Sequence, residues 1–153
     1  NPIFKAIYNH LGKFIKHATD SGKITYASSQ ISSRESNYNR YFDIDYIVCN
    51  EEEAKHTSRK TNICITKGSN GCEFNGISYS AYPPKKVVNT IGAGDCFYGY
   101  FLAGLAANAD ISAILRDASA AAALQVTRPG AATAIPLRQD VLGFISANTN
   151  DQR

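Results

Sequence analysis

The chain has 153 residues, of which 44% are hydrophobic and 19% charged, with a formal net charge of +3. That profile fits one globular domain over residues 1–153 and excludes a disordered or fibrous chain. Arg59-Lys60 and Lys85-Lys86 are the only adjacent basic pairs, so there is no basic stripe of the kind that binds nucleic acid. No apolar run reaches the roughly 18 residues of a membrane span, and no signal-peptide pattern opens the sequence.

The first predicted element is an amphipathic helix. Phe4, Ile7, Leu11, Phe14, Ile15 and Ala18 recur with helical spacing, and Asp20-Ser21-Gly22 closes the run. A short strand follows over 23–27, then a polar, tyrosine-rich loop over 28–40. Tyr46-Ile47-Val48-Cys49 and Asn62-Ile63-Cys64-Ile65-Thr66 are short apolar runs suited to parallel strands covered on both faces. Between them only an abbreviated helix fits. Cys72-Glu73-Phe74 and residues 77–81 flank Asn75-Gly76, the strongest short hairpin signal. Val87-Val88 reads as the end of a further strand. Helices are expected over about 93–108, 111–127 and 137–147, the last after Pro136. Strands alternating with helices predict an α/β fold: a layered, mostly parallel sheet with helices on both faces, plus one antiparallel hairpin.

Cys49, Cys64, Cys72 and Cys96 form no Cys-x-x-Cys pair, which argues against a zinc or redox site. Cys49 and Cys64 stand in apolar runs, where a free cysteine behaves as a small hydrophobe. His10, His17 and His56 have neither triad nor metal spacing. The chain has no methionine and begins Asn-Pro-Ile-Phe, which reads as the middle of a protein.

The most informative stretch is Val87-Val88-Asn89-Thr90-Ile91-Gly92-Ala93-Gly94-Asp95-Cys96-Phe97. A glycine turn that opens a helix leaves N–H groups unpaired, with the positive end of the helix dipole behind them. Such a turn is an anion site suited to phosphate. An acid in the same first turn repels phosphate, so Asp95 reads as a group that handles a proton beside it. The rival reading is a tight strand-to-helix connection with Asp95 favoured by the dipole alone. Phe97 stands where the dinucleotide fingerprint needs its third glycine, and no P-loop string occurs.

The segment from Thr90 to Phe97 closely resembles the C-terminal signature of the ribokinase-like (PfkB) family of carbohydrate and nucleoside kinases, Asp-Thr-x-Gly-Ala-Gly-Asp. Three more segments resemble the family in order. Asn50-Glu51-Glu52-Glu53 is similar to its Asn-x-x-Glu magnesium motif. Thr66-Lys67-Gly68 is similar to the strand end that meets the nucleotide, and residues 120–130 to the helix and loop flanking the adenine pocket. The resemblance covers about 44–147.

It implies ATP-dependent phosphorylation of a hydroxyl on a sugar, nucleoside or related small molecule in the cytoplasm. Asp95 would be the base, with the amides of Gly92, Ala93 and Gly94 as the anion hole. Thr66, Gly68, Thr90, Ser119, Ala122 and Val126 would contact the nucleotide. Asn50 and Glu53 would hold Mg²⁺ through water, although Asn50 as a helix cap with Glu53 at the third helical position selects the same residues. Asn50, Thr66 and Thr90 each stand at an expected strand end, where one cleft could collect them. Asn89 replaces the family's usual acid, one that often helps bind a monovalent cation, and so leaves K⁺ dependence open. Arg128 reads either as an assisting cation or as part of an Arg-Pro-Gly turn.

The family's members are about twice as long, and the resemblance makes this chain the C-terminal, nucleotide-binding portion, without the N-terminal substrate and lid half. A truncated parallel sheet exposes a strand edge, so a homodimer mate or the missing half is expected to cover it. Two other readings stay open: a non-catalytic nucleotide-binding or interaction module, and vitamin or pyrimidine kinase chemistry on the same architecture.

Overall fold

A computed structural model describes residues 26–28, 45–55 and 62–150. The helix expected over 4–18 and the loop over 28–40 lie outside the described residues, apart from Ser28. The chain divides into two compact units, 1–66 with 74–76 and 67–73 with 77–153.

In the first unit, strands β1 (Tyr26–Ser28), β2 (Tyr46–Asn50) and β3 (Ile63–Thr66) pair in parallel, with β2 between the other two. Val48 lies opposite Cys64, and Asn50 opposite Thr66. Every side chain from Ile47 to Cys49 is buried; this is the continuous apolar run of a strand covered on both faces, not the alternation of a half-exposed one. Ile47, Cys49 and Ile63 form the core, with Ala54 and Ile65 packed against it. A one-turn helix, α1 (Glu51–Ala54), leaves the end of β2 directly. At its other side β3 is anchored by Asn75, whose N–H donates to the Ile63 carbonyl while its side-chain oxygen accepts from the Ile63 N–H, each at 3.2 Å.

Strands β4 (Cys72–Phe74) and β5 (Ile77–Tyr79) are joined by Asn75 (φ 50°) and Gly76 (φ 84°). Two positive φ values in a two-residue connection make the turn whose twist matches its strands. Gly71, before β4, has φ 92°, and a β-carbon there would lie 2.0 Å from the Tyr79 carbonyl oxygen. Only glycine lets those backbones come so close.

The second unit carries the long helices α2 (Ala93–Ala106), α3 (Ile111–Gln125) and α4 (Arg138–Asn150). The Asp110 carboxylate caps α3 by accepting from the Ser112 hydroxyl and from the Ser112 N–H, the latter at 3.0 Å, and these bonds, the hydroxyl's first, hold its pKa below the ordinary carboxylate range. Small residues let the helices approach: a β-carbon on Gly104 of α2 would fall 2.5 Å from Ile114 of α3. Phe101 and Leu115 are fully buried, each burial stabilising by about 1.5–3 kcal/mol. Cys96, Ala120, Ala121 and Val141 form a core that Tyr82, Tyr100, Phe144 and Ile145 flank. Tyr100 donates its hydroxyl to the Pro136 carbonyl at 2.7 Å, fixing the entry to α4.

The expected strand at Val87-Val88 is not there. Both valines are exposed in irregular backbone, and the N–H groups of Val88 and Asn89 donate to the Val126 carbonyl at 2.7 and 3.1 Å. A β-branched pair suits a pleated surface, but here its hydrogen-bond partner is one carbonyl past the end of a helix rather than a strand. Thr90 accordingly stands in a turn, not at a strand end.

Candidate active site

Gly92 caps α2 at φ 82°, with no side chain satisfying the helix N-terminus. The Ala93 N–H donates to the Thr90 carbonyl at 3.2 Å and that of Cys96 to the Gly92 carbonyl at 2.9 Å. The N–H groups of Gly92, Gly94 and Asp95 have no acceptor among the described residues. Three donors are thus left free at the positive end of a 14-residue helix, where negative charge is favoured. The set differs from the expected Gly92, Ala93 and Gly94 amides, because Ala93 is used to close the turn and Asp95 stands free instead. Asp95 occupies the third helical position with its side chain exposed, and Gly94 has nothing within 4 Å of where a β-carbon would be.

The turn is held from behind. Gln125, the last residue of α3 and 1% exposed, donates from Nε2 to the carbonyls of Ile91 (3.2 Å) and Ala131 (3.3 Å). Asn89 accepts the Ile91 N–H at 2.9 Å and reaches the Gly130 carbonyl with its Nδ2 at 3.4 Å. A β-carbon on Gly92 would press on Gln125 Nε2 at 2.9 Å. Sequence reasoning missed Gln125, since nothing in the run from Ala120 to Val126 distinguishes it beyond being polar among small apolar residues.

The other expected nucleotide contacts fare differently. Ser119 is buried, with its hydroxyl 4.0 Å from the Cys72 sulfur. Ala122 and Val126 are half-buried on the same helix face, and the Val126 carbonyl is taken by Val88 and Asn89. Arg128 pairs with Asp140 at 3.1 Å, tying the loop after α3 to the first turn of α4. Gly68 opens an exposed 3₁₀ turn at φ 56°, and Lys67 pairs with Glu73 at 2.7 Å.

In the first unit, Asn50 and Thr66 are brought together as register partners at the carboxyl ends of β2 and β3. The Thr66 hydroxyl donates to the Cys49 carbonyl at 3.3 Å. Asn50 caps α1 by accepting the Glu53 N–H at 2.9 Å, and Glu53 returns the contact by accepting the Asn50 N–H at 2.8 Å through Oε2. The capping role is therefore real. It uses one oxygen of the Glu53 carboxylate, and Glu53 is only partly buried. Among the described residues no three His, Cys, Asp or Glu side chains cluster as direct ligands of a metal. That donor set fits an ion held through water, as Mg²⁺ often is.

Buried Cys49 and Cys96 both have thiols pushed up to about 11, by burial in each case and at Cys49 also by the Glu53 charge. They are packing groups, not nucleophiles. No helix among the described residues is long and apolar enough to cross a membrane.

This geometry has relatives. The pfkB family carbohydrate kinase pattern matches residues 5–138, and the chain belongs to that family. It is 34% identical over 112 residues to a ribokinase of Lactococcus lactis, covering 64% of this chain and 37% of that protein. It is 38% identical over 85 residues to the Bacillus subtilis ribokinase, covering 54% of this chain and 29% of that one. The chain thus spans about a third of the length of these curated relatives. Among solved structures, Arabidopsis thaliana ribokinase complexed with ribose and ATP superposes with a TM-score of 0.73 at 25% identity, over 85% of this chain and 50% of that one. The α/β ribokinase-like fold expected from the sequence is the fold found.

Proposed function

We propose that this chain contributes the nucleotide and phosphoryl-transfer site of an ATP-dependent kinase acting on a hydroxyl of a sugar or related small molecule. The observation that carries the reading is the set of free N–H groups at Gly92, Gly94 and Asp95, at the head of α2 and beside an exposed carboxylate. Donors fixed in advance stabilise charge that grows on a transferring phosphoryl group, because they need not reorganise as it forms. Asp95 accepts the proton of the attacking hydroxyl. Thr66, Gly68 and Thr90 contribute backbone and hydroxyl contacts to the nucleotide, and Ala122 and Val126 border its base. Ser119 acts from beneath, as packing, since its hydroxyl is buried.

Glu53 and Asn50 would hold Mg²⁺ through water, the ion supplying neutralisation of phosphate charge when bound. ATP in the Arabidopsis relative supports this nucleotide, as does ATP with Mg²⁺ bound to an Escherichia coli chain described as a ribokinase II. The acceptor is a sugar or a nucleoside: ribose lies in the former relative, and inosine in a Burkholderia thailandensis nucleoside kinase that is 27% identical. The test is ADP release by the full-length protein supplied with Mg·ATP and a panel of pentoses, hexoses and nucleosides. Acceptor-dependent ADP release supports the reading. Nucleotide binding without phosphorylation of any acceptor leaves the non-catalytic module, and no nucleotide binding at all removes both.

A further inference from the structure

Three carbonyl oxygens, those of Ile91, Gly130 and Ala131, face side-chain carboxamides at the back of the turn that opens α2. Two accept from Gln125 Nε2, and the third from Asn89 Nδ2. Gln125 cannot be turned around: its oxygen would then face two carbonyl oxygens. Its Oε1 is buried with no donor among the described residues, and an unpaired buried acceptor is costly. The amide nitrogen is thus kept in place against that cost. Asn89 also accepts the Ile91 N–H within the turn, and the Val126 carbonyl adds a further cross-link by accepting from the N–H groups of Val88 and Asn89. Segment 88–92 is therefore fastened to segment 125–131 by several hydrogen bonds.

Converging carbonyl oxygens are also what a monovalent cation binds, and the family resemblance suggests such a cation near position 89. The residues present do not fit one. Asn89 carries no charge, and the carbonyls already accept N–H groups. We infer that the carboxamides of Gln125 and Asn89 are positioning groups that hold the turn at 92–95 in its phosphate-binding shape, and that the protein works without a monovalent cation. This rests on reading that turn as the phosphoryl site.

The first test needs no variant. Turnover, ADP affinity by calorimetry and thermal midpoint of the full-length protein are measured in K⁺, Na⁺ or tetramethylammonium chloride at fixed ionic strength. Turnover and affinity should differ by less than about fivefold, the low end of ordinary coupling between sites, with the midpoint unmoved. A larger rise with K⁺ overturns cation independence.

The second test uses Gln125→Leu, which keeps the bulk and removes both bonds. Assayed well below its melting temperature, it should lose on the order of 10²-fold in kcat, the cost of a reacting group displaced by about an ångström. A lowered melting temperature with kcat unchanged would show packing alone and overturn the positioning role. Gln125→Glu sets a carboxylate against the two carbonyls, and K⁺ should then raise both its turnover and its melting temperature; indifference to K⁺ counts against the inference. If Asp95→Asn turns over normally, the assignment of the phosphoryl site to this turn, on which the inference rests, has failed. If that variant is impaired while Gln125→Leu is not, only the present inference falls.

Discussion

Asn50 and Glu53 each hold the other's backbone N–H, at 2.9 and 2.8 Å, across the first turn of α1. Reciprocal capping satisfies two helix donors, and it also fixes one carboxylate beside the carboxyl ends of two parallel strands, where α/β folds gather ligands. The two roles can be separated. Glu53→Gln keeps an oxygen that accepts the Asn50 N–H but removes the charge. Its melting temperature should stay near the parent's, while the Mg²⁺ needed for half-maximal turnover of the full-length protein rises about 10-fold or more, as with outer-sphere ligands elsewhere. An unchanged Mg²⁺ titration would leave Glu53 as a cap only.

Asp95→Asn preserves size and most hydrogen bonding but cannot take a proton. Turnover should fall by roughly 10²–10⁴-fold, with ATP affinity held or slightly raised because a negative charge near the phosphates has gone. The melting temperature should barely move, since the side chain is exposed and bonds to nothing that holds the helix. Steady-state kinetics beside a thermal melt decides it; near-normal turnover ends the catalytic role.

Gly92 and Gly94 should respond in opposite ways to alanine. At Gly92 the positive φ and the 2.9 Å approach to Gln125 Nε2 both resist a side chain, so Gly92→Ala should destabilise by about 1–3 kcal/mol. Gly94 lies inside the helix with open space where a β-carbon would go, so Gly94→Ala should stabilise by roughly 0.5–1 kcal/mol. Yet that open space is where the phosphate is proposed to sit. Nucleotide affinity should drop in Gly94→Ala even as the protein melts higher, and calorimetric titration with ADP checks it.

The thiols give a pH prediction. Cys49 and Cys96 lie at about 11 in the folded chain against an ordinary 9.0. Unfolded thiols therefore ionise first as pH rises, and the unfolded state binds fewer protons in the window from about 9 to 11. Stability from these groups is complete below pH 9 and is lost as pH climbs through that window. Melting temperatures between pH 8 and 10.5 should fall, less steeply in Cys96→Ala. At pH 8 a thiol reagent should leave all four buried cysteines untouched until denaturant is added. Rapid labelling of the native protein would contradict the burial.

Local chemistry made the long helices and the hairpin legible in the sequence. Gly92 opening a helical run and Asn75-Gly76 between two short strands act within a few residues of themselves, and the observed α2, α3 and α4 lie within three residues of the expected ends. The apolar runs at Tyr46 and Ile63 likewise announced parallel strands, because burial on both faces demands continuous hydrophobicity. The Gly-Ala-Gly-Asp turn pointed to phosphate for the same reason: a helix N-terminus without a cap carries its own unmet donors. Val87-Val88 misled because a strand exists only where another strand pairs with it, and here the Val126 carbonyl, 38 residues on, takes the Val88 N–H. That Gln125 stands behind the turn depends on atoms 34 residues apart in sequence. Only tertiary packing sets such pairings, since hydrophobic patterning specifies which face is buried and says nothing of which polar atom meets which across the core.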